Sequence, residues 1–411
     1  MKTVERVMDG KTVLKIGLIG AGGRMRGVTR RLIEKADERG ISVVIAAVFD
    51  PDDVAHSALK SELSYDYRRC ESEDDLVKTP EIDWVFIGSW NCFHARQIIE
   101  ALEAGKDVFC EKPLATSLED CLKIKEAVAR TGRRFALGLV LRYSPHYQKI
   151  SEELRNGSIG KLISFEFNET LDFNHGGYIF GNWRRDSQNA GSHILEKCCH
   201  DIDLANWLVG ALPLSIAGFG GKNFFLPENE ALATALGNNS EGLPAYGVWP
   251  DPHRENPFDG KSDLLDNQVA ILEYANGVRA TFHSNCNTAI HERRFYLCGT
   301  EGTLRADLIK GEIELRRIGW EPDITRIDSI GGDSHGGGDS VMADALVSTL
   351  VEGTAPLASV NEGIYSAAVA FGIDRATSER TVVDLSSLWQ QLDTDPASPL
   401  EYQDLSRPEL A

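Results

Sequence analysis

Between Leu14 and Asp50 the chain passes through an apolar run, a glycine cluster, a polar Arg-rich stretch, a second apolar run and an acid. Leu14, Ile16, Leu18 and Ile19 lead into Gly20-Ala21-Gly22-Gly23; a helical pattern continues to about Glu38; Val43 to Phe49 ends at Asp50. The order predicts strand, glycine turn, helix, strand, acid. Glycines at Gly20, Gly22 and Gly23 let backbone approach a pyrophosphate, and the helix opening at Arg24 and Met25 offers N–H groups to that anion. The acid closing the second strand can accept both hydroxyls of an adenine ribose. The fingerprint is imperfect, because Met25 stands where a third glycine is usual and Gly27 follows two residues later. A lone Gly-x-Gly equally describes a tight structural turn; the flanking strands and the distant acid favour a nucleotide. Asp50 is followed by Pro51 and Asp52 rather than by Arg, so a 2′-phosphate would meet negative charge. NAD is therefore expected over NADP.

A length of 411 residues exceeds one ordinary core and predicts two or three domains. The 42% hydrophobic and 26% charged content is that of a globular protein. A net charge of −19 disfavours nucleic acid and anionic membranes as partners. No run approaches the roughly 20 apolar residues of a membrane span, and Met1 to Lys15 mixes charges with no signal-peptide core. The eight cysteines form no Cys-x-x-Cys pair, and adjacent Cys198-Cys199 would point in different directions on a helix. No metal site is expected, and the thiols read as small buried residues of a cytoplasmic protein.

The first part alternates strand and helix: strand Ile82 to Gly88, helix His94 to Ala104, strand Asp107 to Cys110, helix Leu118 to Arg130, strand Phe135 to Leu141. That rhythm predicts an α/β domain with a parallel sheet, whose ligands sit at the carboxyl ends of the strands. Gly20, Asp50, Asn91, Glu111-Lys112 and Arg142 all fall just past strand ends and describe one rim. After about Tyr143 alternating runs at Ile163 to Thr170, Gln268 to Tyr274, Val278 to Ser284, Arg294 to Cys298 and Ile313 to Arg317 read as antiparallel strands, with Asn276-Gly277 a hairpin signal. They suggest one open sheet with a face available for self-association. Lys222 to Asp263 is too long for a simple connection and is expected to be a lid, a binding loop or an oligomer arm.

Two constellations carry chemistry. Glu111-Lys112-Pro113 sits on a strand exit beside the expected nucleotide, where a cis Lys-Pro bond is possible and an ammonium could face substrate; a surface turn with a solvated lysine is the plain alternative. Glu196-Lys197-Cys198-Cys199-His200-Asp201-Ile202-Asp203 opens a helix to Trp207 and Leu208. On one continuous helix Glu196, His200 and Asp203 share a face, and a carboxylate beside an imidazole raises its basicity. A capping and salt-bridge cluster would use the same residues. Oxidising a secondary alcohol needs a base for the hydroxyl proton and a fixed cation for the developing alkoxide, and His200 and Lys112 supply both. Asn182-Trp183-Arg184-Arg185-Asp186 could line a sugar pocket, with the indole stacking on a ring and Arg184 binding hydroxyls, or could anchor an interface. His335-Gly336-Gly337-Gly338-Asp339 precedes a helix to about Val351, with Asp339 read as N-cap and glycines that could admit substrate.

Together these segments resemble the glucose–fructose oxidoreductase / inositol dehydrogenase / rhizopine catabolism family. The likeness rests on Ile16 to Gly27, Val48-Phe49-Asp50, Asn91 to His94, Ala104 to Leu114 with its Glu111-Lys112-Pro113, Glu196 to Gly210 with its His200-x-x-Asp203, and Cys298 to Leu304. It spans about residues 14–350. It implies an N-terminal Rossmann domain, here residues 1–143, and a C-terminal α+β domain with an open, mainly antiparallel sheet, residues 144–411, whose C-terminal segment can pack back on the first. It implies Lys112 and His200 at the reaction centre, the nicotinamide between the domains, and homodimers or homotetramers through the sheet. There are two departures from the family pattern: Glu196 stands where aspartate is common, and Lys197 and Cys198 replace small residues, placing a second cation near the pocket.

The expected activity is an NAD-dependent dehydrogenase or reductase acting on a CH–OH group of a sugar, polyol or cyclitol. His200 is base and acid, Lys112 polarises the oxygen and Glu196 orients His200. His94 and Arg142 shape the nicotinamide end, Glu111 belongs to the cofactor rim, and Trp183, Arg184, Lys197, Asp203 and His335 line the substrate side. Two rivals use the same residues: a redox-neutral enzyme with tightly held NAD that oxidises a glycoside transiently and eliminates the aglycone, and a non-catalytic NAD and sugar sensor.

Overall fold

The computed structural model describes residues 7–8, 11–249, 251–321, 323–328 and 335–397. They form two compact units, one holding the chain up to Ser144 and the stretch that ends at Ile364, the other holding Pro145 onward and Tyr365 onward.

The first unit is a parallel sheet in the order Arg68–Arg69, Ser42–Phe49, Lys11–Ile19, Trp84–Ile87, Asp107–Cys110, Phe135–Leu137. Each neighbouring pair in that order is parallel, and Val7–Met8 adds an antiparallel edge to Lys11–Ile19. Trp84 to Ile87 is buried at every position, as a strand covered on both faces must be. Helices Gly23–Glu38, His94–Glu103 and Leu118–Thr131 follow successive strands. Local chemistry sets their ends: the Ser117 hydroxyl accepts the Asp120 N–H, and Gly132 in the left-handed region stops the same helix.

The expected strand Phe135 to Leu141 ends at Leu137. Its neighbour stops at Cys110, so after Gly138 donates to the Cys110 carbonyl (2.8 Å) no ladder remains, and Val140–Tyr143 coils into a 3-10 turn. A single boundary near residue 143 also needs correction, because the helix Gly338–Val351 belongs to the first unit. Arg39 pairs with Asp344 at 2.6 Å, and Arg134 Nη1 donates to the Thr349 carbonyl at 2.8 Å. The segment 398–411, expected to be able to pack back, lies outside the described residues.

The second unit carries a sheet in the order Ile324–Asp328, Glu312–Arg317, Gly302–Asp307, Arg294–Gly299, Leu162–Asp172, Arg279–Thr288, Asn267–Tyr274, Pro213–Gly221, Val383–Asp384. All pairs are antiparallel except Leu162–Asp172 with Arg279–Thr288, so the sheet is mainly antiparallel, as expected. More than a hundred residues separate those two strands, including the helix Cys199–Val209, which allows the crossover a parallel pair needs. Asn267–Tyr274 alternates buried and exposed along its length, so one face is covered and the other bears Val269, Ile271 and, in register on the next strand, Phe219. Among the described residues no helix is long and apolar enough to cross a membrane.

Residues 222–263 fold back within this unit. Phe225 and Phe258 pack with Phe180 from the helix Phe173–Phe180, and Tyr246 closes the cluster. The Asp266 carboxylate anchors the base of the segment by accepting the N–H groups of Asn223, Phe224 and Phe225 at 2.7 to 3.1 Å.

His146, 1% exposed in the helix Pro145–Arg155, stands edge-on to Tyr147. Burial pushes its imidazole down to about 4, against the nearby Asp307 charge. The unfolded chain therefore binds a proton that the folded one refuses between about pH 6.5 and 4, and stability must fall as pH drops through that window, by up to about 3 kcal/mol. Urea denaturation of wild type and His146→Gln from pH 7 to pH 4 should show a shallower fall in the variant.

Candidate functional site

In the first unit Gly20, Asp50, Asn91, Glu111, Lys112 and Arg142 follow the ends of parallel strands, as their sequence positions require. Gly20 sits at φ +83°, and a Cβ there would lie 2.6 Å from the Ser89 nitrogen, so only glycine lets the turn approach the neighbouring strand. Side chains at Gly22 and Gly23 would enter open space, apart from the Arg26 guanidinium 3.8 Å from the latter. Gly22 is the N-cap of the helix and supplies no side-chain cap, leaving the helix opening to accept an anion. Met25 is fully buried, and Gly88 makes room for it: a Cβ on Gly88 would come within 2.7 Å of the Met25 methyl. The missing third glycine is thus exchanged for one just past the end of the adjacent strand. Asp50 Oδ2 accepts the Ala21 N–H at 2.7 Å and Oδ1 the Asp52 N–H at 2.8 Å, which fixes the carboxylate beside the glycine turn and leaves acceptor sites for further donors.

Arg24 organises the rest of this rim. Its Nε donates to Glu111 Oε1 at 2.8 Å, and its Nη1 to Asp339. Glu111 Oε2 takes the Lys112 N–H at 3.3 Å, and Asp339 Oδ2 takes His335 Nδ1–H at 2.7 Å. Burial opposes ionisation of Asp339, but His335 and Arg24 outweigh it and hold the carboxyl well below the usual range. Asp339 is therefore not the N-cap; that position is Gly337, and the carboxylate is spent on Arg24. Arg24 Nη2 is buried with no hydrogen-bond partner among the described residues. A dinucleotide pyrophosphate fits this arrangement, because an open glycine turn, an uncapped helix opening and an unsatisfied guanidinium donor lie together.

Lys112 is half-buried, and its bond to Pro113 is cis. His94 is 1% exposed, with Nδ1 2.8 Å from the Pro113 carbonyl and Nε2 3.3 Å from that of Ser89. Burial pushes its imidazole down, so the neutral ring donates at the shorter contact and holds the Lys-Pro turn. Asn91 is buried in a 3-10 turn, and buried Arg142 donates to the Leu357 carbonyl at 3.3 Å.

In the second unit the stretch around His200 is two helices, His193–Glu196 and Cys199–Val209, so the continuous face expected for Glu196, His200 and Asp203 does not exist. The Ser192 hydroxyl caps the first, and Lys197 and Cys198 both turn back to the His193 carbonyl. Glu196 Oε1 accepts Nε of Arg184 at 3.1 Å. The Arg184 guanidinium lies over Trp183 at 4.4 Å and donates to the Tyr178 hydroxyl at 3.2 Å. His200 and Asp203 are buried in the second helix.

Sequence reasoning missed what fixes this stretch. Arg293 donates to both oxygens of Asp201 at 2.7 Å, and its Nε lies 2.9 Å from Glu169, which also pairs with Lys197 at 3.4 Å. Two cations and two carboxylates thus balance in a buried group. Burial and the Glu169 charge raise Asp201; Arg293 and Lys197 overcome burial at Glu169 and lower it. The one available sequence signal was Asp201 itself, an acid directly beside His200. Lys197 is a cation next to this site, but its charge is tied to Glu169. Among the described residues no cluster of three or more His, Cys, Asp or Glu could hold a metal ion.

The profile of the Gfo/Idh/MocA oxidoreductase family, NAD-binding Rossmann fold, matches residues 14–139, and that of its C-terminal alpha/beta domain matches 151–385. A Bacillus subtilis (strain 168) protein named as an oxidoreductase, YteT, is 26% identical over 77% of this chain and 84% of its own. Inositol 2-dehydrogenase 3 of Saccharopolyspora erythraea is 36% identical over 48% of this chain and 54% of its own, so this match spans about half that relative's length. Levoglucosan dehydrogenase in complex with NADH and levoglucosan superposes with a TM-score of 0.74 at 19% identity, covering 91% of this chain and all of that one, a likeness of fold.

Removing Arg293 from the buried group leaves Asp201 without its guanidinium partner and Glu169 with Lys197 alone. Arg293→Met should cost about 3–5 kcal/mol in chemical denaturation; Lys197→Met, whose charge is farther from its partner and less buried, should cost clearly less.

Proposed function

Because the chain belongs to the Gfo/Idh/MocA oxidoreductase family, we propose that it is an NAD-dependent dehydrogenase or reductase acting on a secondary alcohol or ketone of a sugar, polyol or cyclitol. The observation that carries this reading is Lys112, whose N–H is held by Glu111 on the same strand-end rim as the glycine turn and Asp50. Gly20, Gly22, Gly23, Arg24 and Met25 would cradle the pyrophosphate, Asp50 the adenine ribose, and Asn91, His94, Glu111 and Arg142 would support the nicotinamide end. NAD, when bound, supplies the hydride acceptor. His200 takes the hydroxyl proton on oxidation and returns it on reduction, since a neutral imidazole nitrogen can accept a proton and give it back. The Lys112 ammonium stabilises the alkoxide oxygen as charge develops on it. Glu196 orients the base side, acting beside Arg184, while Trp183, Arg184, Lys197, Asp203 and His335 bind substrate. Asp50 favours NAD because a 2′-phosphate would meet its fixed charge. No disulfide joins any of the eight cysteines, which supports a reducing cytoplasm. The inositol 2-dehydrogenase relatives and the levoglucosan dehydrogenase fold agree with a carbohydrate-type substrate.

NADH formation measured against sugars, inositols and their keto derivatives tests this reading. His200→Ala should lose roughly two to four orders of magnitude in turnover while still binding NAD; unchanged turnover would remove the role assigned. Glycoside cleavage without net NADH, or sugar binding without turnover, would point to the redox-neutral enzyme or to the sensor. The apolar sheet face bearing Phe219, Val269 and Ile271 is proposed to make a homodimer or homotetramer, so Ile271→Glu should shift sedimentation toward a smaller species.

A further inference from the structure

Two arginines flank the stretch that carries Asp50, and a single helix supplies the acid for each. The helix Asp53–Leu63 begins just after Asp50. Near its end Glu62 Oε1 accepts Nε of Arg26 at 2.9 Å, and at its start Asp53 pairs with Arg69 at 2.7 Å. Arg69 lies in register with Val48, in the strand that leads to Asp50.

The two pairs differ in how firmly they hold. The side chains of Arg69 and Asp53 are 51% and 82% exposed, so water and salt screen that pair. Arg26 is 18% exposed and has a second anchor, because its Nη1 donates to the Ala21 carbonyl at 2.9 Å. Ala21 is also the residue whose N–H Asp50 takes. One residue's backbone therefore joins the Asp50 carboxylate to the Arg26 guanidinium. Arg26 Nη2 lies along the same glycine turn, 3.8 Å from where a Cβ on Gly23 would stand. Arg24, the other arginine of the turn, is committed to Glu111 and Asp339.

Arg26 thus has a place on the glycine turn that does not depend on Glu62. Without that acid the guanidinium would keep its bond to Ala21, and its charge would be unbalanced. The adenine ribose assigned to Asp50 carries either a 2′-hydroxyl or a 2′-phosphate. A hydroxyl needs an acceptor, which Asp50 supplies; a phosphate needs a cation, and a guanidinium suits it well. Asp50 repels a 2′-phosphate, but an unmatched arginine across one residue of backbone would offset much of that repulsion.

We propose that Glu62 is a coenzyme-specificity residue: by matching the charge of Arg26 it withholds the cation that would accept a 2′-phosphate, so that Asp50 and Glu62 select NAD together. The inference rests on the dehydrogenase reading above, which supplies the coenzyme. It goes beyond that reading by giving part of the choice between NAD and NADP to an acid on the next helix.

Adenosine 5′-monophosphate and adenosine 2′,5′-bisphosphate differ by the 2′-phosphate alone, and calorimetry of their binding isolates its effect from the redox chemistry. The wild type should bind the monophosphate more tightly. The affinity for the bisphosphate relative to the monophosphate should rise by about tenfold in Glu62→Gln and stay near the wild-type value in Glu62→Asp. In an Arg26→Gln background, Glu62→Gln should add nothing. NADPH relative to NADH, followed by nicotinamide fluorescence, should change in the same sense. A ratio indifferent to Glu62→Gln, or one that rises equally without Arg26, would overturn the assignment, and NADH formation from a sugar or cyclitol by the same protein would leave the dehydrogenase reading standing. An Arg26-dependent rise in a protein that forms NADH from no compound would support the assignment and overturn the redox reading.

Discussion

In each unit an arginine lies between two carboxylates drawn from distant parts of the chain. Arg24 joins Glu111 to Asp339, and Arg293 joins Glu169 to Asp201. Each adjoins a residue on which the proposed chemistry depends: Glu111 precedes Lys112, and Asp201 follows His200. Ion pairs taken out of water add little net stability, since desolvation offsets most of the Coulomb gain. What they supply is position, because either carboxylate left alone would be costly and the guanidinium geometry admits few arrangements. The backbone on which Lys112 and His200 stand is thereby fixed by charges that need not touch substrate.

The parallel sheet of the first unit was legible because its signals are local. Apolar runs and glycine turns act within a few positions, and Gly20, Asp50 and Glu111-Lys112 follow strand ends by sequence order alone. The exchange of a fingerprint glycine for Gly88 was not legible, since it depends on which strand lies beside Met25. The second unit was read less completely. Pro213–Gly221 lacks alternation because its glycines and Ala217 carry no pattern, yet it pairs along its length with Asn267–Tyr274. The parallel pairing of Leu162–Asp172 with Arg279–Thr288 is a matter of topology that no residue encodes.

Around His200 the periodicity argument failed for a specific reason. It assumed one helix from Glu196 to Leu208, while the backbone breaks at Lys197 and Cys198, where Lys197 is drawn to Glu169. Glu169 lies in the strand Leu162–Asp172 and Arg293 just before Arg294–Gly299, and neither position hints that the other's charge awaits. His335 and Asp339 show the same limit: a helix cap was the natural local reading, and the long-range pairing with Arg24 took precedence over it. The 222–263 segment carries its own aromatic core, so its aromatic residues divide into those that fold it and Trp249, which faces outward.

The account stands or falls on hydride passing between a nicotinamide and a carbinol carbon in this protein. Incubation with NADH deuterated at the transferring position and a panel of keto-sugars and keto-cyclitols, followed by mass spectrometry of the products, measures this directly. The account predicts deuterium bound to the new carbinol carbon of at least one product, in the wild type and not in His200→Ala. Product formed without deuterium at that carbon, or no reduction of any compound by protein shown to bind NADH, would contradict it.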